Sequence, residues 1–296
     1  MVAFVAFPEL AHYDGAFLGG NEMRRFAALL WILSSCATSP SAAGGKVSAV
    51  PKESIGWQQA PGLNPGLLTA IEWGDPVPGP YQALIRFPAG LLVQPHYHKV
   101  DEFATIASGS VIFGQGETIE ESRGVEVSAG GYVTIPANTP HWAKCTQDAT
   151  IVRFAPGPRE LTSIKPGEKA PGNAPIKIVQ AKDVPWEDAP GMVSGVKTVL
   201  QYGDPKVGPY IILLKFPKGL VNPPHWHTAD EAVTILSGTM ITGEGQTIDD
   251  ATGKPVSAGG YFIIPGGTAH WGKVPEEVVL TRLGNGPRDI HYFDKK

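Results

Sequence analysis

The chain repeats itself at a fixed offset of 129 residues, and this repeat constrains its fold more than any other feature. The offset links His96 to His225 and Trp57 to Trp186. It also links several longer segments: Gly74–Pro76 with Gly203–Pro205, Gly79–Tyr81 with Gly208–Tyr210, Gly130–Tyr132 with Gly259–Tyr261, His141–Trp142 with His270–Trp271, and Gly157–Arg159 with Gly286–Arg288. The halves align without a gap, which indicates a duplicated domain rather than a solenoid of short units.

The repeat predicts where the domains lie. The first unit is expected at 47–159 and the second at 176–296, each about the size of a small single domain. Between them, 160–175 contains two Pro-Gly pairs, which are typical of turns and linkers.

The composition of both units favours β-structure. The chain has 36 glycines and 28 prolines, more than a helical bundle accommodates. Short apolar and β-branched runs alternate with Gly or Pro turns about every 8–12 residues. Examples are Ala83–Phe87, Phe103–Ile106, Gly131–Ile135 and Thr150–Phe154. We therefore predict an all-β protein with two tandem antiparallel β-barrel, or jelly-roll, domains.

The N-terminal region predicts export. Residues 23–36 contain a basic start, a short apolar run and small residues, which is the plan of a secretory signal peptide. Its end, Leu33–Cys36, resembles a bacterial lipobox and predicts lipidation of Cys36. Residues 37–46 are expected to form a flexible tether. Residues 1–22 precede the signal, so we expect Met23 to be the true start. These features predict a lipoprotein of the bacterial periplasm or cell envelope.

Charge and cysteine content limit the classes of binding partner that we expect for the chain. The net charge is −4 and no Lys/Arg cluster occurs, so nucleic-acid binding has no support. Membrane contact is expected only through a lipid on Cys36. The two cysteines are too few for a disulfide framework or a thiolate zinc site. The expected partner is a small-molecule substrate, and the oligomeric state stays open.

The histidines predict two metal sites. Each unit has an H-x-H motif, a glutamate four residues further on and a distant third histidine: His96, His98, Glu102 and His141, then His225, His227, Glu231 and His270. On a strand, residues i and i+2 face the same side, so both imidazoles of each motif point together. Three imidazoles and one carboxylate suit Fe, Mn, Cu, Ni or Zn. We predict one divalent transition metal per unit, with positions left open for substrate or water.

These motifs resemble those of the cupin superfamily, and specifically of a bicupin. The first cupin motif corresponds to Gly90-x5-His96-x-His98-x3-Glu102-x6-Gly109 and to Gly219-x5-His225-x-His227-x3-Glu231-x6-Gly238. The second corresponds to Gly130-x5-Pro136-x-Asn138-x2-His141 and to Gly259-x5-Pro265-x-Gly267-x2-His270. Asn138 replaces a glycine, a mild change because Asn also tolerates a left-handed backbone. The resemblance implies the same eight metal ligands. Among cupins, the chain resembles small bacterial members without an assigned reaction.

The surroundings of the ligands predict further site residues. Glu102 and Glu231 are candidates for proton acceptors as well as ligands. Strand alternation from these glutamates predicts an apolar pocket wall at Ala104, Ile106, Val233 and Ile235. Trp142 and Trp271 follow the third histidines and are candidates for stacking on a substrate ring. A structural role is an equally good interpretation of both tryptophans.

The leading functional hypothesis is a metal-dependent oxidoreductase of dioxygenase type acting on a small organic molecule. Quercetin and acireductone dioxygenases resemble this site in using three histidines and one glutamate. Oxalate decarboxylase places an arginine where this chain has Val93 and Asn222, which disfavours that reaction. The alternatives are a non-redox isomerase, lyase or hydrolase, and a ligand- or metal-binding envelope protein without turnover.

Overall fold

The computed structural model describes residues 45–59 and 65–293. The upstream segment, the predicted signal peptide, Cys36 and most of the predicted tether lie outside these residues. Within the described part of the chain, no helix is long and apolar enough to cross a membrane.

The first repeat forms twelve strands. They are β1 (Ser48–Val50), β2 (Gln58–Gln59), β3 (Leu68–Gly74), β4 (Tyr81–Phe87), β5 (Leu92–Tyr97), β6 (Glu102–Ser108), β7 (Ser110–Gln115), β8 (Val125–Ser128), β9 (Tyr132–Ile135), β10 (His141–Lys144), β11 (Ala149–Ala155) and β12 (Thr162–Ser163).

The second repeat forms the matching twelve. They are β13 (Lys177–Val179), β14 (Glu187–Asp188), β15 (Lys197–Asp204), β16 (Val207–Phe216), β17 (Val221–Trp226), β18 (Glu231–Ser237), β19 (Thr239–Glu244), β20 (Lys254–Ser257), β21 (Tyr261–Ile264), β22 (His270–Lys273), β23 (Val278–Gly286) and β24 (His291–Tyr292). The described residues contain three single 3₁₀ turns, at Lys52–Ser54, Glu121–Arg123 and Ala181–Asp183.

The strands form two barrels, each made of a seven-stranded and a five-stranded antiparallel sheet. The first barrel joins the sheets β13-β9-β6-β11-β4-β3-β2 and β12-β5-β10-β7-β8. The second joins β1-β21-β18-β23-β16-β15-β14 and β20-β19-β22-β17-β24. The all-β prediction of two tandem barrels is confirmed.

The two repeats exchange their first strands. Strand β1 pairs with β21 in the second barrel, where Ser48 lies opposite Ile263. Strand β13 pairs with β9 in the first barrel, where Lys177 lies opposite Thr134. Each barrel therefore borrows an edge strand from the other repeat, which covers an edge that would otherwise be open to other chains.

The segment predicted as a linker also contributes to the first barrel. Strand β12 pairs with β5, and Thr162 lies opposite Tyr97. Its repeat counterpart β24 pairs with β17 in the same way, with Tyr292 opposite His225. The duplicated pattern thus extends into 160–175, because the outer edge of β5 offers backbone hydrogen-bonding groups that β12 satisfies.

The seven-stranded sheets of the two barrels pack face to face. Buried apolar side chains from both repeats form two clusters between them, which include Leu84, Val152 and Leu213 in one and Phe103, Ala232 and Leu283 in the other. Polar contacts also join the barrels: Glu72 and Gln82 with Thr234, and the repeat counterpart of the first, Gln201 with Thr105. Burial of this apolar surface stabilises the pair of barrels as one unit.

Candidate metal centres

The first histidine cluster lies inside the first barrel, on its five-stranded sheet. His96 lies on β5, His98 follows that strand, and His141 opens β10, where it pairs with His96. One ligand nitrogen from each lies within 4.8 Å of the others. All three side chains are buried, so the antiparallel pairing of β5 with β10 brings sequence-distant imidazoles to one point.

The second barrel contains the matching cluster. His225 on β17 pairs with His270 on β22, and His227 follows β17. Their ligand nitrogens also lie within 4.8 Å of one another. The rings of His225 and His270 are 4.2 Å apart, the same separation as those of His96 and His141. The two repeats therefore present two closely similar groups that could each hold a metal ion.

A tight turn holds the H-x-H segment in place. Asn138 adopts a left-handed backbone with φ of 62°, as expected for a residue that replaces glycine. Its N–H donates to the carbonyl of His98 across 2.6 Å, and Gly267 donates to His227 across 2.7 Å. Asp101 accepts a hydrogen bond from the N–H of Ala137. The sequence between the second and third histidines thus positions the ligands rather than merely connecting them.

Backbone carbonyls fix which nitrogen of each histidine faces the centre. Nδ1 of His96 lies 2.8 Å from the carbonyl oxygen of Gln94, and Nδ1 of His141 lies 3.0 Å from that of Thr139. Nδ1 of His98 contacts the carbonyl of Glu160. A carbonyl oxygen only accepts, so each Nδ1 carries the proton and each Nε2 keeps a lone pair. This is the tautomer that metal-binding histidines use.

The second cluster has the same arrangement. Nδ1 of His225 donates to Pro223, that of His227 to Asp289 and that of His270 to Thr268.

Burial lowers the pKa of several clustered histidines. It lowers the pKa of His96 well below its ordinary value, with help from His141 and His98. Burial also lowers the pKa of His141 to about 4 and that of His225 to about 3. At these three histidines a metal ion would therefore meet nitrogens that are already deprotonated at neutral pH.

Each glutamate lies against its cluster. Oε2 of Glu102 is 2.8 Å from Nε2 of His98, and Oε1 of Glu231 is 3.2 Å from Nε2 of His227. Such distances are favourable only when a proton on Nε2 or a cation bound to both atoms lies between them. The buried carboxylate and the three imidazoles therefore fit a divalent transition metal.

The structure also shows an arginine beside each glutamate, which the sequence analysis missed. Arg153 on β11 donates from Nη2 to Glu102 Oε2 across 2.8 Å and also contacts the hydroxyl of Tyr81. Arg282 contacts Glu231 in the second barrel. Arg153 and Arg282 are repeat counterparts. A charged residue at the same position of two otherwise apolar strands is the sequence pattern that could have identified both arginines.

The ion pair sets the charge of Glu102. Burial alone would raise the pKa of this carboxyl, but Arg153 and His98 together hold it well below its ordinary value. The glutamate is therefore an anion whether or not a metal is bound.

The cavities around the two clusters differ in size. The first has a volume of about 330 Å³. Its lining combines the cluster with apolar side chains that include Leu67, Ile85, Phe87, Phe113, Ile151 and Leu161. The second has about 50 Å³, and its lining includes Met192, Leu214, Phe216 and Met240. Of the two clusters, the first faces the larger cavity.

The predicted pocket residues fall into two groups. Val233 and Trp271 line the small second cavity. Ala104, Ile106 and Ile235 pack into the barrel cores and line neither cavity. The alternation argument identified the correct face of each strand, but these residues lie deeper in the barrel than the clusters.

Trp142 likewise does not line the first cavity. It is 1 % exposed, and a Cβ added at Gly114 would lie 2.1 Å from its ring. Its ring therefore fills a slot over the glycine on the outer side of the sheet, whereas His141 points inward.

Comparisons with known proteins agree with this geometry. A family model described as a cupin domain matches 83–155, and one described as a ChrR cupin-like domain matches 176–289. No curated protein sequence matches the chain.

Solved structures share the fold. A putative dioxygenase from Nostoc punctiforme has a TM-score of 0.63 at 13% identity, covering 85% of this chain and 88% of its own. An oxalate decarboxylase from Lactobacillus farciminis has 0.52 at 14%, covering 82% and 88%. A salicylate 1,2-dioxygenase from Pseudoaminobacter salicylatoxidans has 0.50 at 12%, covering 71% and 70%. At these identities the similarity shows the fold alone.

Proposed function

Because the chain belongs to the cupin superfamily and carries two cupin domains in tandem, we propose that it is a metal-dependent bicupin enzyme. Its reaction in this proposal is the oxidation of a small organic molecule, of the dioxygenase type. The observation that carries the proposal is the first cavity, in which three imidazoles and an ionised glutamate face about 330 Å³ of space lined by both apolar and polar side chains. Similarity to dioxygenases of the same fold supports the reaction class.

His96, His98, His141 and Glu102 would hold the metal in the first barrel. A bound redox-active ion would polarise the substrate and supply the electron-transfer chemistry of the oxidation. A backbone carbonyl holds Nδ1 of each histidine and leaves Nε2 facing the centre, so binding needs little reorganisation of the site.

Arg153 and Tyr81 position the glutamate. The guanidinium keeps the Glu102 carboxylate charged and oriented, and the contact with Tyr81 fixes the guanidinium in turn. The lowered pKa of Glu102 makes it a weak base, since a general base works best with a pKa near the working pH. We therefore assign Glu102 mainly to metal binding, with proton transfer a secondary role.

The apolar wall selects the substrate. Side chains such as Ile85, Phe87 and Phe113 exclude water from the cluster and favour an aromatic or aliphatic body. A polar group of the substrate would face the histidines. Because Arg153 and Arg159 also line this cavity, it suits a small aromatic or enolic compound that carries a polar or anionic group.

The second barrel would hold a metal without turning over substrate. His225, His227, His270 and Glu231 offer the same donors, but about 50 Å³ leaves space for little more than water. We propose that a metal at this site stabilises the barrel.

Export and anchoring remain part of the proposal. The sequence of 23–36 supports secretion to the periplasm or cell envelope, and a lipid on Cys36 would be the only membrane contact.

Oxygen uptake tests the proposed reaction. The purified full chain, loaded in turn with Fe, Mn, Cu, Ni or Zn, is mixed with small phenols, diketones and sugars while dissolved oxygen is recorded. We expect uptake with a redox-active metal, lost in His96→Ala and retained in the matched variant His225→Ala. Product formation without oxygen uptake would instead favour a Lewis-acid isomerase, lyase or hydrolase. Binding without turnover would favour a ligand-binding protein.

A further inference from the structure

The second barrel has another cavity, which lies outside the small cavity that faces its histidine cluster. This outer cavity has a volume of about 360 Å³, and its lining includes Lys206, Met192, Arg282, Arg288, Asp289 and Ile290. Met192, Arg282 and Ile290 also line the small cavity around the histidine cluster. These three side chains therefore separate the outer cavity from the candidate metal centre.

The outer cavity has an excess of positive charge. Lys206, Arg282 and Arg288 contribute three cations to its lining, against the single acid Asp289. The carboxylate of Asp289 already has partners, because it accepts hydrogen bonds from the backbone and hydroxyl of Thr228 and lies 3.0 Å from Nε2 of His291. Asp289 therefore compensates the arginines only in part.

The cations of this lining differ in their partners. Arg282 is buried and its guanidinium already pairs with Glu231, so its charge is compensated on the side of the cluster. Arg288 is half-buried and forms no ion pair among the described residues. Arg288 therefore has charge and hydrogen-bonding capacity that an anion in the outer cavity would use.

We propose that the outer cavity binds a small organic carboxylate. The guanidinium of Arg288 would receive the carboxylate group in the fork geometry that suits arginine, with the exposed Lys206 adding a second positive charge. Met192, Ile290, Pro190 and Pro205 provide apolar walls for a short hydrocarbon body. This site requires no metal, so it stands apart from the proposed oxidation in the first barrel.

The matching arginines of the first repeat have a different setting. Arg153 and Arg159 line the same cavity as the first histidine cluster. Arg159 consequently serves as a matched control for Arg288.

Methionine methyl NMR tests the proposal at the site itself. The chain has four methionines. Met192 lines the outer cavity, whereas Met240 lines only the small inner one. The Zn²⁺-loaded full chain, labelled with ¹³C at the methionine methyls, is titrated with benzoate, with acetate and with inorganic phosphate. Met192→Leu assigns the reporting signal.

We expect benzoate to shift the Met192 signal, leave the Met240 signal nearly unmoved and bind more tightly than acetate. Arg288→Gln should weaken binding about tenfold or more, whereas Arg159→Gln should change it less than about twofold. Lys206→Gln, at an exposed position, should weaken binding about two- to threefold and serves if Arg288→Gln fails to fold.

Four results would overturn the proposal. One is a Met192 signal that benzoate does not move. Another is binding that persists unchanged in both Arg288→Gln and Lys206→Gln. The third is a shift centred on Met240 and abolished by His225→Ala, which would place the anion on the metal. A response to phosphate without one to benzoate would contradict the assigned class of ligand.

Discussion

The carboxylate of Glu72 in the first barrel accepts a hydrogen bond from the hydroxyl of Thr234 in the second, whose Oγ1 lies 2.9 and 3.0 Å from its two oxygens. Nε2 of Gln82 donates to the same carboxylate across 2.8 Å. At the position related by the repeat, Gln201 donates from Nε2 to Thr105 across 3.0 Å. The contact between the barrels is therefore nearly symmetric in shape, but only one side of it can ionise.

We predict that Glu72 makes stability depend on pH. Burial raises the pKa of Glu72 from 4.5 to about 7, against the effect of its two hydrogen bonds. Between these values the folded state holds a proton that the unfolded state has lost, so stability falls as pH rises from about 4.5 to 7. Above pH 7 the loss is complete and reaches about 3 kcal/mol at most.

Glu72→Gln removes this group and copies the residue found on the other side. Urea unfolding should show the variant more stable than the wild type at pH 8, with the difference vanishing near pH 4.5. Gln201→Glu should add a second buried carboxylate, so the free energy of unfolding should fall more steeply over the same pH range. Parallel stability curves for wild type and Glu72→Gln would rule out a buried, titrating Glu72.

In the metal-free protein, Arg153 and Glu102 should have a large coupling free energy, because they form a buried ion pair. Arg153→Gln leaves a buried carboxylate without its counter-charge, which should lower the free energy of unfolding by about 3 kcal/mol. Adding Glu102→Gln should restore part of that loss. The exposed pair Lys197–Asp188, also 2.8 Å apart, provides the control and should couple by less than about 0.5 kcal/mol. Equal coupling in the two pairs, measured by double-mutant cycles in urea, would be inconsistent with a buried pair.

The packing of Trp142 predicts intolerance at Gly114. A methyl group there would lie 2.1 Å from the indole ring, so Gly114→Ala should destabilise the protein by about 1–3 kcal/mol. Gly243→Ala should do the same against Trp271. Gly56→Ala, which meets no atom within 4 Å, should change stability by less than about 0.5 kcal/mol. Thermal unfolding measures all three, and a harmless Gly114→Ala would show that Trp142 packs elsewhere.

Much of the fold could be predicted from the sequence because its patterns occur twice. Turn spacing and alternating apolar runs depend on local geometry, so they predicted strands and barrels without any knowledge of packing. The histidine clusters were predictable for a related reason, since the H-x-H spacing fixes a shared face. The third histidine could be added because the same pattern recurs at His141 and His270.

Other features depend on contacts that the local pattern does not encode. The exchange of β1 and β13 is decided by which sheet edge lies nearest in the packed pair. Arg153 lies 51 residues from Glu102, and Glu72 lies 162 residues from Thr234. The two cavities differ in size, about 330 Å³ against about 50 Å³, although both clusters have the same spacing of ligands in the sequence.

Metal content tests the central claim most directly. The full chain is purified without chelator, reconstituted, and compared with His96→Ala, His225→Ala and the double variant by elemental analysis. Because the clusters lie in separate barrels, we expect about two equivalents in the wild type, about one in each single variant and none in the double variant. A wild type that binds no metal, or a single variant that loses both equivalents, would contradict two independent metal centres.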